Sequence, residues 1–454
     1  MSINSLPLEI LGVIFYEYVR SAYLRHRKII WAPVRISSVC RRWRDAALSL
    51  GVIWAYLDYD FSYRPRKSLL ESLDTLLHRS NGAPLNFSFT CNLKHRPFPE
   101  DNEVAERAVL MLLSHQWHWE KVRFNWRFMT STSFPGIWLT NMPKLTSLDL
   151  YIKLDDGLYE GGGRIDFSQS SRLEYLRLNC PIHLGIGDKP LFFPVAATID
   201  LDLHGHFSTP ATVSQCLDVI EAAPNLRKFR TSSCTVNEAV NYEERPITSN
   251  NLQILVMRGG NASLVINKLD LPALTVLTCR DGCSGSAGEH LISFVRRSLP
   301  PLTHLSVGGN CADEATVMHI LPLLPLLRVL DMDPCTVSAR LFQLLSVPNS
   351  TTAGSCIHDT HNQIVCPDLG WVCFFNYSVV GGARECADAL CAMLDSRWDV
   401  LKFDGHLVKI GKPVSETDCE RIQHLIWNTE NFCTGEDRDE RDEVFPSLKL
   451  PELR

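Results

Sequence analysis

The chain has 454 residues, of which 45% are hydrophobic and 21% charged, and its formal net charge is −6 at pH 7. This composition is ordinary for a soluble globular protein, and an acidic chain has no general electrostatic attraction to nucleic acid or to anionic membranes. The sequence contains no uncharged apolar run long enough to span a membrane and no secretion signal, so we expect a protein of the cytoplasm, the nucleus or both.

The N-terminal segment carries two amphipathic helical patterns. The first begins at Leu6-Pro7, where proline is tolerated because an N–H in the first helical turn has no intrahelical partner. Apolar residues then recur at helical spacing in two groups. The groups are Ile10, Leu11, Ile14 and Phe15, and then Ile36, Val39, Cys40, Trp43 and Ala47. Two short helices of this kind have too little apolar mass to close a core, which favours a docking module over a helical cap on a larger domain.

These residues also resemble a known family. The runs are Leu6-Pro7-x-Glu9-Ile10-x-x-x-Ile14-Phe15 and Val39-Cys40-Arg41-Arg42-Trp43-Arg44-Asp45, with Trp54 after them. Over residues 5–55 they resemble the F-box as it occurs in the large families of fungal F-box proteins. In that family the module binds a Skp-type adaptor, which joins it to a cullin scaffold and to the ubiquitin-transfer machinery. The resemblance implies that the adaptor is contacted by Leu6, Pro7, Ile10, Ile14, Val39 and Trp43.

One stretch departs from the family. The basic residues Arg20–Lys28 stand where the family has a short helix. We interpret them as a solvated loop between two docking helices, with a nucleic-acid or nuclear-import patch as the alternative.

Residues 55–124 alternate between strand and helix patterns. We predict, in order, a strand, a helix, a strand and a helix over Ala55–Phe61, Ser68–Arg79, Pro84–Thr90 and Glu103–His115. Residues 69–124 also resemble the segment that follows the F-box in the fungal families.

A repeat begins at residue 119. The template Leu-x-x-Leu-x-Leu returns in eleven more or less degenerate units, most of them within or near the ~20–29-residue period of leucine-rich repeats. The units begin at Trp119, Leu145, Leu173, Ala196, Leu226, Leu252, Leu274, Leu302, Leu327, Leu369 and Trp398. Helical patterns lie between some of them, at 212–222, 289–299, 314–324 and 383–394. One strand and one helix cannot bury their apolar faces alone, so neighbouring units are expected to stack.

The pattern resembles the leucine-rich repeat family over residues 119–405. The resemblances imply an α/β fold in which a helical F-box precedes a leucine-rich repeat solenoid, a curved parallel sheet with helices on its convex side. The implied domains are an F-box at 1–58, a strand–helix–strand region capping the array at 59–118, repeats at 119–410, and a capping helix with an acidic mixed-charge tail at 411–454. An ordinary α/β domain that happens to contain the motif is the alternative. Stacking predicts one buried column of leucines: Leu148, Leu176, Leu255, Leu277, Leu305 and Leu330.

The chain shows no motif of a catalytic or cofactor-binding site. A Gly-Lys-Ser/Thr phosphate loop, a Gly-x-Ser-x-Gly elbow and a His-Glu-x-x-His pair are all missing from the sequence, so we predict no catalytic residue and no cofactor. The 16 cysteines include no Cys-x-x-Cys pair, and we expect most of them to be reduced and buried. One group of candidate zinc ligands matches no familiar spacing, and we predict no metal site there. It consists of Cys356, His358, His361, Cys366 and Cys373.

The two resemblances imply the substrate-recognition subunit of a Skp–cullin–F-box type ubiquitin ligase, which is not itself an enzyme. Its partners would be the adaptor, the cullin scaffold and a protein substrate. The alternatives are a leucine-rich repeat interaction scaffold unconnected to ubiquitin, and an enzyme that uses the Cys and His content.

The outward positions of the repeat strands gather positive charge in the middle of the array. Arginine forms forked contacts with carboxylate and phosphate, so this charge predicts an acidic or phosphorylated substrate segment, with a solvated surface as the alternative. The predicted substrate-binding residues are Arg177, Lys228, Arg230, Arg258 and Arg280.

Overall fold

The fold is mixed α/β and is built on parallel strands. The computed structural model describes residues 6–26, 31–62, 67–92, 99–128, 138–154, 164–167, 169–179, 198–203, 211–231, 234–235, 246–282, 285–333, 335–347, 364–374, 378–397 and 402–404. The chain divides into two compact units, Met1–Thr235 and Val236–Arg454, which we call unit 1 and unit 2. The predicted C-terminal segment at 411–454 lies outside the described residues.

Unit 1 begins with helices and continues into a sheet. Its helices are α1 (Leu8–His26), α2 (Ala32–Ser37), α3 (Arg41–Ser49), α4 (Lys67–Ser80), α5 (Pro99–Ser114) and α6 (Val213–Ala222). Its strands are β1 (Tyr56–Asp60), β2 (Leu85–Asn92), β3 (Trp119–Phe128), β4 (Trp138–Leu139), β5 (Ser147–Leu154), β6 (Arg164–Ile165), β7 (Tyr175–Asn179), β8 (Asp200–Leu203), β9 (Ala211–Thr212), β10 (Lys228–Thr231) and β11 (Cys234–Thr235). The longer strands pair in parallel in the order β1-β2-β3-β5-β7-β8-β10, while β4 pairs with β6 and β9 with β11.

Unit 2 alternates strands and helices. Its helices are α7 (Ala262–Asn267), α8 (Ala287–Ser298), α9 (Glu314–Ile320), α10 (Ala339–Leu345) and α11 (Ala383–Ser396). Its strands are β12 (Ile247–Thr248), β13 (Ile254–Arg258), β14 (Leu269–Asp270), β15 (Val276–Asp281), β16 (His304–Gly309), β17 (Val329–Met332), β18 (Thr336–Val337), β19 (Trp371–Phe374), β20 (Ser378–Val379) and β21 (Lys402–Asp404). The order β13-β15-β16-β17-β19-β21 is again parallel, and β12 pairs with β14 and β18 with β20.

The predicted strand pattern is confirmed, because each of the eleven predicted units contains a strand. In unit 2, Leu255, Leu277, Leu305 and Leu330 stand in register on four neighbouring strands, and each is at most 1% exposed. Leu148 and Leu176 do the same in unit 1. A strand points alternate side chains to opposite faces, so this register puts every second residue of each strand in the core.

Tight turns let neighbouring elements approach closely. Helix α4 ends at Asn81-Gly82, as predicted, and both residues have positive φ angles, of 46° and 74°. A Cβ at Gly82 would lie 2.7 Å from the ring of Trp117, so glycine is required there for the indole to pack on the turn.

Three sequence-based interpretations are wrong. The basic residues Arg20–His26 belong to helix α1 and do not form a loop. The second amphipathic pattern is two helices, α2 and α3, because the chain leaves the helical path at Val39 and Cys40. The predicted boundary at residue 58 falls inside strand β1, which is part of the sheet of unit 1.

Candidate functional site

Helix α1 buries one of its faces. Leu11, Phe15 and Val19 are each at most 2% exposed, and their spacing of four residues puts them on one side of the helix. The ring of Phe15 meets the ring of Trp43 in α3, with centroids 4.9 Å apart and planes at 56°. These contacts hold α1 against α3.

The opposite face of α1 is also apolar but is exposed. Ile10, Val13 and Ile14, three and four residues apart, are 47%, 61% and 41% exposed, and Val39 between α2 and α3 is 61% exposed. We call these four residues the N-terminal apolar surface. Single exposed apolar residues are common, whereas several on one helix face are typical of a surface that binds a protein partner.

The start of α3 lies next to the start of α1. The guanidinium of Arg42 donates a hydrogen bond to the carbonyl oxygen of Leu6, and the Sγ of Cys40 accepts one from the backbone N–H of Trp43 at 3.5 Å, which caps α3. Leu6 and Trp43 are half-buried, and the ring of Trp43 packs on Phe15. The other four predicted adaptor-binding residues are exposed, namely Pro7, Ile10, Ile14 and Val39. Sequence reasoning missed Val13, although its distance of three residues from Ile10 could have found it.

Trp54 joins the N-terminal helices to the rest of unit 1. Its side chain is fully buried, and its Nε1–H donates to the carbonyl oxygen of Ala47 at 2.7 Å. The guanidinium of Arg79 in α4 lies 4.6 Å from the centre of the indole. A Cβ at Gly51 would lie 2.5 Å from the carbonyl oxygen of Ser80, so the two backbones touch. The segment Gly51–Trp54, which follows α3, is thus packed directly on α4.

The strand face of unit 1 that points away from the leucine core carries a row of alternating charge. Arg123, Asp149, Arg177, Asp202 and Arg230 are register partners on the successive strands β3, β5, β7, β8 and β10. We call these five residues the charged row. The Oδ2 of Asp149 lies 3.2 Å from the Nε of Arg123, and the Oδ2 of Asp202 lies 3.7 Å from the Nε of Arg177 and 3.8 Å from a terminal nitrogen of Arg230.

A further ion pair lies beside the charged row. The Nζ of Lys228 is 3.1 Å from the Oδ2 of Asp200, its register partner on β8. Burial raises the pKa of the Asp149 and Asp200 carboxyls, and this effect is opposed by their cationic neighbours, among them Arg177 for Asp149 and Lys228 for Asp200. The carboxylates of Asp149 and Asp200 are therefore partly shielded from water.

The equivalent face of unit 2 is different. One of its rows is mostly apolar, with Ile254, Val276, His304, Val329 and Trp371 in register and half-buried. Burial lowers the pKa of His304, so this residue adds little positive charge near neutral pH.

Charge in unit 2 gathers around Arg280. Its guanidinium lies 3.2 Å from the Oδ2 of Asp331 and 3.4 Å from that of Asp333. To reach them it crosses Gly308 on the intervening strand, where a Cβ would lie 2.8 Å from the Cγ of Arg280 and 2.3 Å from the carbonyl oxygen of Asp333. A residue with a side chain at position 308 would block this crossing.

The predicted substrate-binding residues thus divide between the units and are largely ion-paired. Arg177, Lys228 and Arg230 lie on strands of unit 1, and Arg258 and Arg280 on strands of unit 2. Carboxylates on neighbouring strands offset much of the positive charge that the sequence alone suggests.

Only two of the five candidate zinc ligands lie within the described residues. Cys356, His358 and His361 lie outside the described residues, while Cys366 and Cys373 are buried in unit 2. The thiol of Cys366 faces the carbonyl oxygens of Leu321 and Leu324, each at 3.4 Å. Within the part of the chain that the structure describes, no three His, Cys, Asp or Glu side chains are grouped as metal ligands. No helix in that same part is long and apolar enough to cross a membrane.

No protein-family model matches the chain, and no curated protein matches it.

Proposed function

We propose that the chain is the substrate-recognition subunit of a Skp–cullin–F-box type ubiquitin ligase. The observation that carries the proposal is the N-terminal apolar surface, in which three residues lie on the exposed face of α1, whose other face is buried, and Val39 lies between α2 and α3. It supports the proposal because Ile10, Ile14 and Val39 are also the positions at which the sequence resembles the F-box. In this reading the surface docks a Skp-type adaptor, which links the chain to a cullin scaffold.

The remainder of the chain, in the same proposal, is a leucine-rich repeat solenoid that holds a protein substrate. Support comes from the strand in each predicted unit and from the leucines that stand in register within each unit of the structure. The strand faces then offer side chains that point away from the leucine core, where a partner can reach them.

The chain contributes proximity and not bond chemistry. Holding a substrate beside a ubiquitin-charged enzyme converts a bimolecular encounter into an effectively intramolecular one, which raises the effective concentration of the acceptor lysine. This role requires two binding surfaces and no nucleophile.

The test is capture of the full chain by a purified Skp-type adaptor. Loss of one central apolar anchor costs ~2 kcal/mol at a typical interface, or about 30-fold in affinity, and a buried carboxylate costs more. The double variant Ile10→Glu with Val13→Glu should therefore lose capture, while its thermal unfolding stays near that of the wild type because both residues are exposed.

The matched control is Leu110→Glu, because Leu110 is an apolar residue of helix α5 that is 45% exposed. It carries the same change at similar exposure and should leave capture intact. A wild-type chain that the adaptor does not capture, or a double variant captured as well as wild type, would remove the proposal and favour an interaction scaffold unconnected to ubiquitin.

A further inference from the structure

The charged row has a regular spacing. Neighbouring parallel strands lie about 4.8 Å apart, so Arg123, Arg177 and Arg230, on every second strand, are spaced about 9.6 Å apart along the row. Asp149 and Asp202 occupy the strands between them. The row is therefore three cations at a fixed interval, separated by two anions.

The cations are the more exposed members of the row. The side chains of Arg123, Arg177 and Arg230 are 47%, 37% and 28% exposed, against 15% for Asp149 and 7% for Asp202. The carboxylates lie deeper and orient the guanidinium groups above them.

Of three regular peptide conformations, only one has side chains on one face at this interval. In a polyproline II helix, residues three apart lie on the same face and about 9.3 Å apart, close to the spacing of the arginines. In a β-strand, residues on one face are about 6.7 Å or 13.4 Å apart, and in an α-helix residues seven apart are about 10.5 Å apart, which is out of step by the third arginine.

We infer that the charged row binds a segment in the polyproline II conformation that carries an anionic side chain at every third residue. This inference rests on the proposed role of the strand faces in substrate binding and names the class of segment bound in unit 1. Carboxylate and phosphate share the chemistry that an arginine fork recognises. Prolines between the anions suit the site, because they order the segment before it binds.

The buried aspartates add selectivity. A ligand anion placed midway between two arginines would lie above Asp149 or Asp202, and like charges brought together disfavour that register. In a polyproline II helix, residues two apart are about 6.2 Å apart and point to different faces, so a segment with acids at every second position cannot place one anion on each arginine.

The test measures binding of fluorescent heptapeptides to the purified full chain. The probe Asp-Pro-Pro-Asp-Pro-Pro-Asp has acids at every third residue, and its isomer Asp-Pro-Asp-Pro-Asp-Pro-Pro has the same composition with acids at every second residue. We expect the first to bind at least tenfold tighter, more weakly as salt rises. A third probe with phosphoserine in place of Asp shows which anion is preferred. Equal affinity for the two isomers would overturn the inference.

Variants separate binding from a purely structural ladder of ion pairs. Arg177→Gln should weaken the first probe at least tenfold, whereas the control Arg172→Gln, at an exposed arginine of the same unit outside the row, should not. Asp149→Asn should raise the affinity for the isomer with acids at every second residue several-fold. The difference in affinity between the two peptides then becomes smaller. A structural ladder predicts lower stability and unchanged peptide selectivity in Asp149→Asn. If Arg177→Gln does not fold, Arg177→Lys, which keeps the charge but loses the fork, replaces it and should still weaken the first probe.

Adaptor capture is measured on the same protein samples. Loss of spacing preference with intact capture would refute only the inference about the charged row. Failure of capture with intact peptide selectivity would refute only the proposed link to ubiquitin.

Discussion

The leucine column gives a direct test of strand register, through the neighbouring residues Val276 and Leu277 of β15. Leu277 is fully buried between Leu255 and Leu305, whereas Val276 points to the other face and is half-buried. Leu277→Ala removes a buried side chain from a packed core, which costs ~3 kcal/mol because a cavity remains. Val276→Ala removes two partly exposed methyl groups, which costs roughly 1 kcal/mol.

The assay is thermal unfolding of both variants followed by circular dichroism. In a unit of this size, ~3 kcal/mol lowers the midpoint by roughly 6–12 °C, and ~1 kcal/mol lowers it by roughly 2–4 °C. A slip of one residue in register would exchange the two faces and reverse the order of the two variants. A Val276→Ala variant that loses as much stability as Leu277→Ala would therefore refute the register.

Two further predictions concern buried polar groups. Arg397 is 4% exposed and donates hydrogen bonds to the carbonyl oxygens of Leu345, Val365 and Cys366. Arg397→Met should leave these buried acceptors unpaired and lower the free energy of unfolding, measured by chemical denaturation, by ~3 kcal/mol. A stability equal to that of the wild type would contradict this role. Burial lowers the pKa of His115 and His118, so the folded chain resists a protonation that the unfolded chain accepts near its usual pKa of ~6.5, and stability should fall as the pH drops below ~6.5. His118→Asn should show a smaller loss between about pH 7 and pH 5, and an unchanged pH profile would refute this assignment.

Much of the strand arrangement could be predicted from the sequence, because a strand with one buried face repeats with period two and its leucines mark that face. Leu277 and its register partners are an example. Helix extent was harder to predict. Arg20–His26 is polar enough to suggest a loop, yet Tyr23 packs on Tyr56 with ring centroids 5.4 Å apart, a contact between residues far apart in the chain.

The candidate site was predictable in part. The sequence identified Ile10, Ile14 and Val39 by resemblance, but it could not show which apolar residues of α1 remain exposed, because helical spacing alone does not say which side packs. On the strand face it identified Arg177 and Arg230 but not their shared partner Asp202. That pairing depends on β8 lying between β7 and β10 in register, which is a property of the folded sheet.

The joint at Trp54 has a consequence for how a captured substrate is presented. Gly51 contacts the backbone of Ser80, and Trp54 is buried beneath Arg79. The segment between the N-terminal helices and β1 is therefore held by packing and is not a flexible linker. A flexible linker would let a bound substrate segment occupy a wide volume, whereas a rigid connection fixes both the direction and the distance of that segment from the N-terminal apolar surface. If the N-terminal apolar surface and the charged row are both occupied as proposed, the substrate lysines that can be modified are those that lie in one direction from the charged row. Insertion of glycine and serine residues between Ala55 and Tyr56 should then broaden the set of modified lysines while both binding steps persist.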